Sequence, residues 1–275
     1  MILDGKKVSK EIIENIKKEI ELLVKKIGFA VIWIGNDEAS SIYVKNKIKK
    51  CNNVGINAEL FHLDENIKEN EVLDLIDELN NREDIQGILL QSPIPKHIDI
   101  DKCFNKISPL KDIDGFSRIS TGNLFLGNPS FISCTPKGVM KLLEYYNIDL
   151  RGKNVCLINR SNIVGKPLFH LLINKDATVT MCHSKTINLI EHTKNADIVI
   201  SAVGKPNFIT ADMIKDGGIV IDVGISRENG KVIGDVDFEN VSKKTSYITP
   251  VPGGVGPMTI AMVLENILEG VKKNG

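Results

Sequence analysis

The tightest constraint on this sequence is a change of hydrophobic period that recurs along nearly its whole length. Stretches with an apolar residue every three or four positions alternate with apolar runs of strand length. That alternation specifies helices packed on a largely parallel sheet, so the fold class expected is α/β. In the first part, Val8, Ile12, Ile13, Ile16, Ile20, Leu23, Val24 and Ile27 fall on one helical face, and Ser9 is placed to cap a helix over residues 9–26. A strand at 29–34, a helix at 39–51, a strand running through Leu60, a helix carrying Val72, Leu75, Ile76 and Leu79, and a strand at 87–91 complete a βαβαβ block.

Proline and glycine thicken between Ser92 and Pro136, which reads as loops and short pieces. Thr135-Pro136 then reads as a cap followed by proline at the first helical position, opening a helix to about Tyr146. Apolar runs at 155–158, 178–182, 198–203 and 219–223 mark a second α/β block. Asn229-Gly230, between Ile225 and Val232, is a two-residue hairpin signal. A last helix, about 258–272, is expected to return to the first domain. The boundaries expected are residues 1–136 plus 257–275 for one domain and 137–256 for the other.

Charge and cysteine usage narrow the function classes. The 275 residues carry 35 basic and 35 acidic side chains, which excludes a broad electrostatic footprint for nucleic acid or an anionic membrane. No window approaches the roughly 20 apolar residues of a membrane span, and the first residues show no signal-peptide core. The expected location is the cytoplasm. Cys51, Cys103, Cys134, Cys156 and Cys182 lie far apart with no C-x-x-C pair, so they read as free thiols, with no metal site and no disulfide framework.

Five segments carry residues of chemical interest. Ser40, Tyr43 and Lys47 share one face of the second helix; Lys47 is either a solvated surface lysine or, if its surroundings allow, a proton-transfer group. Gln91 ends an apolar strand, where a polar residue either faces a ligand cleft or satisfies loop amides. Asp112 and Asp114 flank Ile113; an extended backbone points them the same way and a turn makes them diverge. Asn159 to Pro167 joins a strand to a helix N-terminus, the geometry of a dinucleotide-phosphate cradle, although it holds one glycine where the usual fingerprint has three. At the end of the next strand Cys182-His183-Ser184-Lys185 lacks the acidic residue that binds a ribose 2′-hydroxyl; a hydroxyl and cations there, with Arg160 opposite, suit a 2′-phosphate and hence NADP. Thr249 to Thr259 is dense in proline and glycine, and serves either as a close backbone wall for a flat ligand or as a hinge.

In order, Ser40-x-x-Tyr43-Val44-x-x-Lys47, Gln91 to Asp99, Pro109-x-Lys111-Asp112-Ile113-Asp114-Gly115-Phe116, Arg160 to Pro167 and Thr249 to Thr259 resemble the bifunctional methylenetetrahydrofolate dehydrogenase/methenyltetrahydrofolate cyclohydrolase family. The resemblance spans Ser40 to the last helix. It implies an N-terminal βαβ-type folate/catalytic domain and a Rossmann-like NADP-binding domain with a cleft between them, assembled as a homodimer through the cofactor domain. It further implies oxidation of 5,10-methylenetetrahydrofolate with NADP as cofactor, then hydrolysis of the methenyl product to 10-formyltetrahydrofolate.

Under that resemblance Lys47 transfers the proton in the cyclohydrolase step, Gln91 orients it, Tyr43 stacks on the folate rings and Asp114 holds the pterin-like ring. Ser40 and the Pro252-Gly253-Gly254 backbone complete the substrate site. Asn159, Arg160, Ser161, Ile163, Gly165, Ser184 and Lys185 form the cofactor site. The family usually has glycine where Asn159 stands, so this side chain is a possible obstruction to the cofactor, and leucine where Ser92 stands. The rival readings are a monofunctional NAD(P)-dependent dehydrogenase, whose members tend to lack the full Tyr/Lys/Gln set, and a non-catalytic folate- or nucleotide-binding module.

Overall fold

The computed structural model describes residues 1–24, 26–228 and 230–274. The chain divides into two compact units, Ile12–Ile132 with Val263–Gly275, and Met1–Glu11 with Ser133–Met262. This division differs from the sequence boundaries at both ends of the chain. Ile2 pairs with Ile248 and Leu3 donates its N–H to the Ile248 carbonyl, so the first residues group with the second block.

Helix α1 (Gly5–Glu21) starts earlier than its apolar period implies. Asp4 is the cap: its carboxylate accepts from the Lys7 N–H at 3.0 Å, while Ser9 lies inside the helix and bonds back to the Lys6 carbonyl. The helix stops before Leu23 and Val24, which leave it. There follow β1 (Ile27–Ile34), α2 (Glu38–Asn53), β2 (Ile56–Leu63), α3 (Glu69–Asn81) and β3 (Ile85–Gln91). All three strands are parallel in the order β2-β1-β3. Every residue of β1 is buried, as a central strand covered on both faces requires. One face of this sheet packs Ala30, Ile32, Ile88 and Leu90 against Val72, Ile76 and Leu79 of α3. Two short helices, α4 (Ile100–Lys106) and α5 (Arg118–Phe125), lie in the loop-rich stretch.

Helix α6 (Cys134–Tyr145) opens the second block, with Ser133 at the N-cap position; Thr135 is helical, so it is not the cap, and Pro136 stands at the third helical position. Next come β4 (Asn154–Ile158), α7 (Gly165–Ile173), β5 (Thr178–Cys182), α8 (Leu189–Lys194), β6 (Ile198–Ser201), β7 (Ile219–Asp222), β8 (Ser226–Glu228), β9 (Lys231–Ile233), α9 (Phe238–Val241) and β10 (Tyr247–Ile248). The five-stranded parallel sheet has the order β10-β7-β6-β4-β5. Chain order reverses between β4 and β6, which makes their carboxyl ends the topological switch point of a Rossmann-like unit. Strands β8 and β9 form the antiparallel hairpin expected from the Asn-Gly signal; Asn229 itself lies outside the described residues.

Helix α10 (Val255–Asn274) ends the chain. Within its own unit the buried Asn266 donates to the carbonyls of Ile113 and Ile132, tying the loop-rich stretch to the helix. All five cysteines are buried free thiols. Burial pushes the thiol of Cys51 up to about 12 and that of Cys103 to about 11, so neither is a ready nucleophile. Among the described residues no helix is long and apolar enough to cross a membrane, and no cluster of three metal-ligating side chains occurs.

Candidate active site

The predicted site residues fall into two groups, one in each unit. In the three-stranded unit, Asp37 caps α2 by accepting from the Ser40 N–H at 2.7 Å, and that bond holds the Asp37 carboxyl below its ordinary range. The cap sets the phase of the helix and with it the face shared by Ser40, Tyr43 and Lys47. Ser40 is buried, Lys47 is half-buried and Tyr43 is 43% exposed, leaving the phenol ring available to a ligand.

Lys47 Nζ donates to Gln91 Oε1 at 3.1 Å. Gln91 Nε2 in turn donates to the Ser92 carbonyl at 2.6 Å, which fixes the amide so that its oxygen faces the ammonium. The partner is neutral, so it orients the lysine without supplying a full counter-charge. Gln91 is the last residue of β3, at the carboxyl end of a parallel sheet. Trp33 stands beside it in register on β1 and His62 beside Trp33 on β2, with the two rings stacked at 4.0 Å. Neither was singled out from the sequence. The available signal was the chain's single tryptophan, placed near the end of an apolar strand.

The Lys111–Phe116 motif separates into three roles. Lys111 Nζ donates to the carbonyls of Leu79, Asn80 and Arg82, closing the C-terminus of α3, and its burial lowers its pKa. The segment is a turn, with the Gly115 N–H bonded to the Asp112 carbonyl, so the two carboxylates have different surroundings. Asp112 is 2% exposed and accepts from Phe116 N, Ser117 N and Ser120 Oγ, the last at 2.7 Å. It organises the start of α5. Asp114 is half-buried two residues on.

In the five-stranded unit the loop after β4 is closed by Asn159. Its Oδ1 accepts from Ser161 N at 2.7 Å and Gly165 N at 3.1 Å, and its Nδ2 donates to the Ala202 carbonyl after β6. The side chain therefore bridges the switch point and folds into the loop. Gly165 is required by close approach, since a Cβ there would lie 2.4 Å from the Asn159 carbonyl oxygen. Because the Gly165 N–H is engaged within the loop, it is not a free phosphate donor. Ser161 Oγ accepts from Val164 N at 3.1 Å. Of the predicted cofactor residues in this loop, Arg160 and Ile163 are exposed, as are Ser184 and Lys185 after β5. That donor set of hydroxyl and cations, without a carboxylate, fits the 2′-phosphate of NADP.

Two buried carboxylates escaped the sequence reading. Asp235 accepts from Ser201 Oγ, Val203 N and Lys205 N, and Asp222 accepts from Gly224 N, Asp235 N and Val236 N. Together they stitch the loops after β6 and β7 at the carboxyl edge of the sheet. Desolvation pushes the Asp222 carboxyl up to about 7. The Asp222 N–H donates to Thr249 Oγ1 at 2.7 Å, linking the same edge to the proline- and glycine-rich loop. In that loop Pro252 is exposed, while Gly253 and Gly254 are buried.

Two family models match the chain: the catalytic domain of tetrahydrofolate dehydrogenase/cyclohydrolase over residues 3–114, and its NAD(P)-binding domain over 133–275. The bifunctional protein FolD of Nautilia profundicola is 56% identical over 275 residues, covering 98% of this chain and 97% of that protein. The crystal structure of the bifunctional FolD methylenetetrahydrofolate dehydrogenase/cyclohydrolase from Campylobacter jejuni superposes with a TM-score of 0.98 at 50% identity, covering 99% of each chain. The Trypanosoma brucei dehydrogenase-cyclohydrolase, solved with NADP cofactor and inhibitor, matches with a TM-score of 0.95 at 35% identity, over 99% of this chain and 97% of that one.

Proposed function

The chain belongs to the tetrahydrofolate dehydrogenase/cyclohydrolase family, and on that footing we propose which of its residues carry each of its two reactions. The enzyme oxidises 5,10-methylenetetrahydrofolate with NADP⁺ and hydrolyses the resulting methenyl compound to 10-formyltetrahydrofolate. The carrying observation for the second reaction is the 3.1 Å bond between Lys47 and Gln91 at the end of β3.

Hydrolysis adds water to the electron-poor methenyl carbon and then opens the ring, so a proton must leave the water and another must reach the departing ring nitrogen. Water loses one proton as it adds and the second as the carbonyl forms. One is released to solvent and Lys47 delivers the other to the departing ring nitrogen, while Gln91 holds the Lys47 amino group in place and Tyr43 stacks on the folate rings. Asp114 accepts from the ring amino and amide N–H groups, a paired charge-assisted contact that orients as well as binds. Ser40 and the Pro252-Gly253-Gly254 backbone line the remainder of the substrate. The oxidation asks less of the protein: NADP⁺ accepts the hydride when bound, and the side chains supply orientation. Arg160, Ser161, Ile163, Ser184 and Lys185 hold the cofactor, with Asn159 and Gly165 shaping their loop.

By sequence the folate and catalytic domain is assigned to residues 1–136 plus 257–275 and the cofactor domain to 137–256, with Met1–Glu11 packing in the unit that holds the latter. We also read the enzyme as a cytoplasmic homodimer joined through its cofactor domains; the exposed side chains of Ile187 and Ile190 support an interface there. Light scattering on the eluted protein measures the assembly. The function itself is tested by following NADPH formation and methenyl hydrolysis separately, with NADP⁺, NAD⁺ or no cofactor. Dehydrogenase turnover with NADP⁺ and cofactor-independent hydrolysis are the expected outcomes; absence of hydrolysis reduces the protein to a dehydrogenase alone.

A further inference from the structure

The first turn of α1 presses on the backbone of the proline- and glycine-rich loop. A Cβ on Gly5 would lie 1.8 Å from the Gly254 carbonyl oxygen and 3.1 Å from that of Gly253. Both opposing atoms are main chain, so no rotamer change relieves the overlap. Next to it, the Lys6 N–H donates to the Gly253 carbonyl at 3.0 Å. An N–H in the first turn of a helix has no partner within the helix, so this donor is available to the loop at no cost to α1. Gly253 itself has φ +116°, a conformation that a side chain opposes.

The turn is itself anchored on both sides of Gly5. Leu3, fully buried, donates to the Ile248 carbonyl at 2.8 Å, and the Asp4 N–H donates to the Tyr146 hydroxyl at 2.9 Å. The loop is held at its start by Thr249 Oγ1 on the Asp222 N–H, and closed on itself by the Gly254 N–H on the Pro250 carbonyl. With its start fixed, the height of the 253–254 peptides is set by what they rest on, and they rest on Gly5 and Lys6.

We propose that Gly5 and the Lys6 N–H are positioning elements for the folate substrate, acting through the Gly253-Gly254 backbone and touching no ligand themselves. This rests on the reading of Pro252-Gly253-Gly254 as a substrate wall. In Gly5→Ala the new methyl has to displace the Gly254 carbonyl by more than 1 Å. The KM for folate should rise at least tenfold in both reactions, with kcat and the KM for NADP⁺ within threefold of wild type; a folded variant whose folate KM stays within twofold overturns the proposal.

Hydrogen exchange on the wild-type enzyme supplies a second measurement that does not depend on the variant folding. Binding of tetrahydrofolate should slow exchange at least tenfold both in residues 250–254 and at the Lys6 amide. Slowing in 250–254 with no change at Lys6 overturns the proposal while leaving the loop as a substrate wall. No slowing in 250–254 means that the wall assignment is at fault, and the role of Gly5 falls with it.

Discussion

The two carboxylates of the Lys111–Phe116 turn make opposite demands, and one substitution at each separates them. Asp112 is 2% exposed and accepts three hydrogen bonds, two of them through one oxygen. In Asp112→Asn the carbonyl oxygen can serve Ser117 and Ser120, and the new NH₂ then faces the Phe116 N–H, donor against donor. Hydrogen bonds to charged groups contribute about 1.5–3 kcal/mol each and an unsatisfied buried donor costs about 1–3 kcal/mol, so a loss of about 3 kcal/mol is expected. For a chain of this size that corresponds to a fall in Tm of about 6–12 °C. Asp114→Asn acts on the ligand instead. An amide in place of the carboxylate sets N–H against ring N–H, at about 1–3 kcal/mol for each unpaired donor, so folate affinity should drop by about one to three orders of magnitude. Both activities should fall together in Asp114→Asn, and NADP⁺ affinity measured without folate should stay as in wild type. The assays are thermal unfolding for Asp112→Asn, and calorimetry with tetrahydrofolate and with NADP⁺ for Asp114→Asn. A Tm within 2 °C of wild type for Asp112→Asn refutes the structural role, and unaltered folate affinity in Asp114→Asn refutes the binding role.

Lys47→Ala should abolish methenyl hydrolysis in a folded protein that still binds NADP⁺, measured by following hydrolysis and NADPH formation separately; hydrolysis near wild type removes Lys47 from the mechanism. Replacing both Arg160 and Ser184 by alanine should raise the KM for NADP⁺ far more than that for NAD⁺, each lost charge-assisted contact costing about 1.5–3 kcal/mol; wild-type enzyme that uses NAD⁺ equally well defeats the 2′-phosphate assignment. Asp222 supplies a pH test. Burial pushes its carboxyl up to about 7 from an ordinary 3.8, so between those pH values the native state holds a proton that the unfolded chain has released. The stability from that protonation is complete below about pH 4 and is lost as pH rises to 7. Urea unfolding of Asp222→Asn, which cannot titrate, should show its stability deficit relative to wild type shrinking from pH 4.5 to 7.5, and a constant deficit contradicts the burial argument.

Hydrophobic period was enough to place and type the longer elements; α4, α5, α9 and the two-residue β10 are too short to show one, and Ile27, in phase with the α1 face, opens β1 instead. Strand β5 runs over 178–182 as its apolar run implies, and β3 differs by two residues at its start. Helix starts were read less well, because several candidate caps compete locally and a backbone bond decides between them. Ser9 looked like a cap by position, yet Asp4 reaches the Lys7 N–H; Thr135 looked like one, yet its hydroxyl pairs with that of Thr259. At the site, residue types were legible and their partners were not. The spacing of Ser40, Tyr43 and Lys47 follows from one helix, but the contact between Lys47 and Gln91 depends on how α2 crosses a parallel sheet 44 positions along the chain. Asp222 and Asp235 were invisible for the same reason: an aspartate after an apolar run reads as the end of a strand until its three donors are known.

The site motifs share an internal construction that explains why they are longer than their chemistry requires. Each pairs a residue whose side chain fixes the backbone with a proposed ligand residue within a few positions. Asp112 ties the turn on which Asp114 stands; Asn159 closes the loop that exposes Arg160; Asp37 caps the helix that presents Tyr43; Thr249 anchors the loop that carries Pro252. A carboxylate or amide whose oxygens are taken by the backbone has little left for a ligand, so in these four motifs the two tasks fall to separate residues; Ser161 differs, because its oxygen accepts from Val164 N while a hydroxyl can still donate. Asn159 follows from that division directly. Its oxygen holds two loop N–H groups and its NH₂ reaches the adjacent loop, so the side chain is folded into the protein and not directed outward. On the proposed cofactor assignment, Asn159 should act on NADP through the order of the loop that Arg160 stands on, and Asn159→Ala should raise the KM for NADP⁺.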